Sequence, residues 1–403
     1  MKKKWKTPSF QLKSEKNRGR KVPLWVLFVS VILTAIISGF VLISVFSFGP
    51  IGRISLKLSE IDNLAKKYFL GEIDYNELDE TILSGYFDGL DDKYSFYENK
   101  QGAEEINNSF KGNAVGIGVS IVYEEEGNFY VFRINSGSPA EAAGLKVGDR
   151  IISIDGEPIK KLGYEKALKA LRKDVGKTSK CEVLRGGEAL KVTFVHKEFV
   201  KQSVYYHIIN EKYGYICFTE FNEATVKQFE DAVSYLTERK VKGFVFDLRD
   251  NGGGMVDSVC EILDKLVGKC DLITVEYKNG DKKVLHTSDS NEIKLPMTVL
   301  INNKTASAAE LFSATIRDMK KGKLIGGTTF GKGVMQRTYT LRDGSLARLT
   351  VAQFLPAGGE SFNKVGIKPD FEVEFSKEQA ENKYKLGDSD PYIVKAVEVL
   401  ENE

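Results

Sequence analysis

The chain has 403 residues, 42% hydrophobic and 28% charged, an ordinary globular composition with room for two or three domains. Its formal net charge is +2, yet residues 1–21 hold nine Lys or Arg against the single acid Glu15, so the chain beyond that excess of eight carries −6. That balance excludes a broad basic surface, and no nucleic-acid partner is expected.

Residues 1–21 read as a basic tail, and no charge follows from Val22 to Ile51. The run "VPLWVLFVSVILTAIISGFVLISVFSF" is longer than a secretory apolar region and ends without a small-residue cleavage site. It predicts one transmembrane helix over 22–49, since about 20 apolar residues span a bilayer. The basic tail then places residues 1–21 in the cytoplasm and the remainder outside it, as a single-pass protein of the cell membrane.

Residues 50–111 carry apolar side chains at helical spacing, as in "LSEIDNLAKKYF" and "YNELDETILSGYFDGL", and predict a helical segment. Such amphipathic helices either pack on the body or pair two chains as a homodimer. Four cysteines, Cys181, Cys217, Cys260 and Cys270, lack C-x-x-C spacing and read as buried small hydrophobes, and no metal-ligand grouping stands out.

From Gly112 the texture changes to short strands and turns. The loop "GIGV" (Gly116, Ile117, Gly118, Val119), the stretch "SPAEAAGLKVGDRIISIDG" and the helical "YEKALKALR" resemble a PDZ domain over 112–198. The resemblance implies a groove in which loop amides capture a C-terminal carboxylate and a strand edge adds the peptide as a further strand. Ile117, Val119, Ala167 and Leu171 would line it. Glycines suit the loop physically, because a backbone without β-carbons approaches a ligand closely.

Residues 199–380 alternate strand and helix, which predicts an α/β core. In "TVLINNKTASAAELFSATIRD" a buried strand turns into a helix at Ser307. Ser307 and Glu310 fit a capping box, but the small residues around the serine also leave its oxygen open. The Ala308 amide at the helix start, with a second from the "LRDNGGG" glycines (Gly253 or Gly254), could hold an oxyanion once Ser307 attacks a carbonyl.

The serine needs a base. His196, His207 and His286 all lie in strand-like patterns rather than on turns, which argues against a Ser-His-Asp triad. "GGTTFGKGVMQ" matches most of a phosphate-binding loop, but Gly333 replaces the magnesium-binding hydroxyl and the following residues read as a hairpin instead of a helix. Lys332 is then free for another use. Burial away from carboxylates would lower its pKa and make it a base, with Gln336 four residues on to orient it.

At "NNKTASAAELFSATIRD", "IGGTTFGKGVMQ" and "DLRDNGGG", preceded by the PDZ-like region, the chain resembles the carboxyl-terminal processing peptidases, also called tail-specific proteases. The resemblance covers about residues 60–400, including the terminal helix of 381–403. It implies a crotonase-like α/β protease core with an inserted PDZ domain. It also implies a Ser307 nucleophile, a Lys332 base and a Gln336 partner, no cofactor, and cleavage of protein or peptide substrates near free C-termini. Gly252 stands where the family commonly has proline or serine. A catalytically silent PDZ scaffold that only binds C-termini is the alternative.

Overall fold

The computed structural model describes residues 23–402, with side chains at 40–48 excepted, and the basic tail of residues 1–21 lies outside them. The chain divides into two compact units, Met1–Asp79 and Glu80–Glu403.

In the first unit a helix runs Leu24–Phe48 and a second Pro50–Tyr68. Extended Gly49 separates them and Pro50 opens the second, a position where its missing N–H leaves no helical bond unmade. The transmembrane helix expected over 22–49 is corrected here: among the described residues no helix is long and apolar enough to cross a membrane.

The second unit begins its main structure at the short strand Phe96–Glu98 and the helix Lys100–Lys111, which Asn99 caps through the Gly102 amide and Gly112 ends in the left-handed region. An antiparallel sheet follows, from Val119–Tyr123 through Phe129–Ile134, Arg150–Ile154 and Thr178–Arg185 to Glu188–Val195. Phe129, Val131, Ile151, Val183 and Phe194 meet in its own core. Val119–Tyr123 is an edge strand, paired only with Phe129–Ile134.

The largest core is built on a six-stranded sheet. Val204–Ile209 pairs antiparallel with Tyr213–Phe218, and Phe244–Asp247, Met297–Ile301, Gly322–Gly326 and Phe371–Glu372 continue in parallel. Alternate side chains go to opposite faces, the period-two rule of a strand. Ile216, Phe218, Phe244 and Phe246 meet the helices Glu223–Glu238, Val256–Asp264 and Ala308–Asp318, while Tyr215, Cys217 and Val245 meet the last helix, Pro391–Glu401. Both faces are covered, so these strands are apolar throughout. A second, antiparallel sheet contains Cys270–Tyr277, Lys282–Ser288, Val334–Thr340 and Leu346–Leu355. The residues after Lys332 therefore form the hairpin, and no helix follows that lysine to hold a phosphate.

Candidate active site

The serine side is assembled by the core sheet. Met297–Ile301 is wholly buried and leads into a turn closed by Thr305, whose hydroxyl donates to the Leu248 carbonyl at 2.8 Å. Ser307 follows with φ 58° and ψ −121°, outside the regions an L-residue ordinarily prefers. Such a conformation costs on the order of 1–3 kcal/mol and persists where surrounding bonds over-determine it. Here the Ser307 N–H donates to Glu310 Oε2 at 2.8 Å and the Ala306 N–H to the Asn251 carbonyl at 2.9 Å. Ser307 and Glu310 thus form the capping box, in which the Glu310 carboxylate accepts from the Ser307 N–H. Its side chain borders a cavity of about 480 Å³.

Gly253 lies directly beneath this turn. A β-carbon there would stand 2.9 Å from Ser307 Cβ and 2.8 Å from the Ala306 carbonyl oxygen, so only glycine fits. Its amide is already used, donating to Asn251 Oδ1 at 2.8 Å. Asn251 in turn donates to the Phe218 carbonyl, and Phe221 N–H to the Gly253 carbonyl. The next residue differs: Gly254 borders the cavity with Ser307, and its amide and that of Ala308 donate to no acceptor among the described residues. Of the two glycines considered as oxyanion donors, Gly254 has the open amide.

Lys332 reaches the site through the same carboxylate that holds the serine. Glu310 is fully buried, and its Oε1 accepts from Thr329 Oγ1 and from the Gly331 N–H, both at 2.6 Å. Its Oε2 accepts from the Lys332 N–H at 2.8 Å as well as from Ser307. Four donors satisfy one desolvated charge, the condition for burying it. The Lys332 side chain is half-buried, with Nζ 4.4 Å from the centre of the Tyr94 ring. Burial, then the nearby Arg348 guanidinium, lowers its pKa; Asp92 and Glu310 oppose this and Lys93 adds to it. The absence of acids read from its own segment therefore does not describe its surroundings, because Asp92 arrives from elsewhere in the chain.

Gln336 borders the cavity but donates to the Val334 carbonyl at 3.3 Å and to Thr350 Oγ1 at 3.2 Å, not to the lysine. Among the described residues no hydrogen bond joins the Lys332 amine to Ser307. The structure thus brings Ser307, Gly254 and Gln336 to one cavity, whose lining does not include Lys332; the lysine is tied to the serine through Glu310. Among the described residues no histidine bonds to the serine: buried His196 meets Ser179, His207 meets Asp388, and His286 meets Asp257. Glu310, Asn251, Asp92, Tyr94 and Arg348 were missed in the sequence as site residues. Glu310 was visible there only as half of a cap, and "DDKYSFY" carries no periodic signal. All four cysteines are free, and burial pushes the Cys181 and Cys260 thiols up to about 12.

In the segment leading into the sheet that starts at Val119–Tyr123, Gly116 and Gly118 have φ of 150° and 78°. The amides of Ile117 and Gly118 have no acceptor among the described residues, and they sit at the start of the edge strand. Val119 is part-buried, whereas Ile117, Ala167 and Leu171 are core residues rather than open groove lining. Arg133 of this sheet donates to Cys217 Sγ of the larger core at 3.1 Å, and Phe132 stacks on Tyr384 at 4.1 Å.

A serine at a strained strand-to-helix turn beside open amides, in a chain that also carries a separate sheet with a free strand edge, is consistent with a serine peptidase of the PDZ-bearing kind. Residues 212–373 match Peptidase family S41 and residues 107–180 match the PDZ domain. The chain is 32% identical over 391 residues to the carboxy-terminal processing protease CtpA of Bacillus subtilis (strain 168), covering 93% of this chain and 84% of that one. It is 30% identical over 324 residues to CtpB of the same organism, covering 79% and 67%. The chain belongs to the carboxy-terminal processing proteases of peptidase family S41, and it is a serine-type endopeptidase. In fold it is similar to an S41 protease from Bacteroides fragilis (TM-score 0.60, 20% identity, 83% of this chain and 93% of that one). It is also similar in fold to a photosystem II D1 C-terminal processing protease (TM-score 0.50, 24% identity, 82% and 88%).

Proposed function

We propose that Ser307 and Lys332 work as a Ser-Lys dyad. The observation that carries this reading is the Glu310 carboxylate, which accepts from both backbone amides and so ties nucleophile and base to one buried anchor. Neutral Lys332 takes the proton of the Ser307 hydroxyl as its oxygen attacks the substrate carbonyl. The Gly254 and Ala308 amides receive the oxyanion, in a site where fixed donors need no reorganisation. The protonated lysine then gives its proton to the leaving amine, and water releases the acyl group by the same steps in reverse. Gln336 must turn from Thr350 to contact the lysine in this scheme.

Labelling with a fluorophosphonate probe, read by peptide mass spectrometry, tests the dyad: modification of Ser307 that is lost in Lys332→Ala is expected. Labelling of a serine other than Ser307, or none at Ser307 in a folded chain, would place the nucleophile elsewhere. We further assign the Ile117 and Gly118 amides to capture of a substrate's terminal carboxylate beside the free strand edge. The helix Pro50–Tyr68 buries no residue and exposes Ile51, Ile54, Ile61 and Leu64, which supports pairing of two chains, measurable by light scattering.

A further inference from the structure

Arg348 is at odds with the rest of the charged groups around it. It lies within Leu346–Leu355, opposite Phe96 on one neighbouring strand and Thr338 on the other, so its backbone is held from both sides. Its guanidinium carbon stands 5.7 Å from the Phe96 ring centre and 5.6 Å from that of Phe110, and its Nε is buried with no acceptor. Most other part-buried arginines have partners: Arg249 has Asp247 and Asp390, Arg185 has Asp149, Arg150 has Glu124, and Arg133, without a carboxylate, donates to Cys217 Sγ. Arg348 has no such partner among the described residues. The acids that border the same cavity, Glu223 and Asp257, do not pair with it, and Asp257 is bonded to His286.

A guanidinium cannot shed its charge, and leaving it desolvated and unpaired is costly unless something else completes it. Aromatic faces hold the cation and orient its planar fork, but they offer no lone pairs for its N–H groups. The side chain borders the cavity that Ser307 and Gln336 also border. We propose that Arg348 is a specificity-determining residue that receives a carboxylate of the bound substrate, either the terminal group or an Asp or Glu side chain near the scissile bond. This rests on the reading of Ser307 as nucleophile. The site is on strands rather than a loop, which suits it to fix one substrate register.

The test uses the full chain and one peptide in three forms: amidated without acids, amidated with a single Glu moved through the positions flanking the cleaved bond, and free at its C-terminus. At one Glu position, or for the free terminus, kcat/KM should exceed that of the neutral peptide by roughly tenfold or more, the scale of one charge-assisted hydrogen bond. Arg348→Met should bring that ratio to about one and Arg348→Lys should restore part of it, whatever the absolute rates. The free-terminus arm is repeated in Gly118→Ala, so that capture by the PDZ loop is not counted. A preference unchanged in Arg348→Met, or equal losses on all three peptides, would overturn the proposal. If Arg348→Met does not fold, the unaltered enzyme decides: acetylated dipeptide acids should compete with the neutral peptide more strongly than their amides, and equal competition would overturn it. Cleavage that persists in Ser307→Ala would instead overturn the nucleophile assignment and leave the Arg348 ratio to be read independently.

Discussion

The helix that begins at Ser307 is buried along Ala308–Ile316, whereas the strand that follows Lys332, Val334–Thr340, has no buried residue. Ser307 is placed by close packing: Phe312 meets Phe218, Phe221 and Phe246, and the strained turn is locked beneath by Gly253. The lysine is placed by its backbone bond to Glu310, by the Tyr94 ring, and by charges at Asp92, Lys93 and Arg348. A close-packed element has few alternative positions, while a side chain held by a ring face and a few charges has several. The difference locates adjustment of activity on the lysine side.

Removing either reactive group tests the comparison most severely. Ser307→Ala and Lys332→Ala are each expected to lower kcat by about 10⁴-fold or more with little effect on folding, and the double variant should fall no further, because the two act as one unit. Single-turnover kinetics with far slower cleavage in the double variant would break that pairing. Lys332→Arg should fail as well, since a guanidinium does not become a neutral base.

Glu310 joins the two regions, so its loss should strike both. Glu310→Ala leaves the Ser307, Gly331 and Lys332 amides and the Thr329 hydroxyl without their acceptor, a cost of about 3 kcal/mol or more in urea unfolding, together with loss of cleavage. Glu310→Gln keeps the volume and should be milder. Activity lost without any change in stability would contradict the anchor role.

The lysine side should also respond to charge. The pKa of Lys332 is lowered and only its neutral form is a base, so kcat/KM should rise with pH through that lowered value and level off above it. Asp92 opposes the lowering, so Asp92→Asn should move the rising limb to lower pH. A limb that follows a histidine substitution, or moves upward in Asp92→Asn, would place the base elsewhere.

The smallest effect is expected farthest from the serine. A β-carbon at Gly118 would meet Ser138 Cβ at 2.3 Å, and φ there is 78°, so Gly118→Ala should disturb the carboxylate loop. We expect a few-fold weaker binding of peptides with free C-termini, measured by calorimetry on a Ser307→Ala background, and no change for amidated ones. Equal weakening of both would remove the loop from recognition.

The sequence by itself determined the order of the parts and the local chemistry of the serine turn. A wholly apolar strand, a short polar turn and a small-residue helix start announce a strand-to-helix junction, and the turn at "RDGS" announces a hairpin after Lys332, because both follow from short-range periodicity and backbone preference. The apolar N-terminal run was equally legible as composition, yet the spanning helix read from it was not retained. Only the tertiary structure decided which glycine amide is open, since Gly253 and Gly254 are alike in sequence and differ because Asn251 takes one of them. Likewise only folding brings Asp92 and Tyr94 to Lys332, Arg348 to the cavity, and turns Gln336 toward Thr350. Such contacts join residues far apart in the chain, and neither helical nor strand spacing encodes where a polar side chain will find its partner.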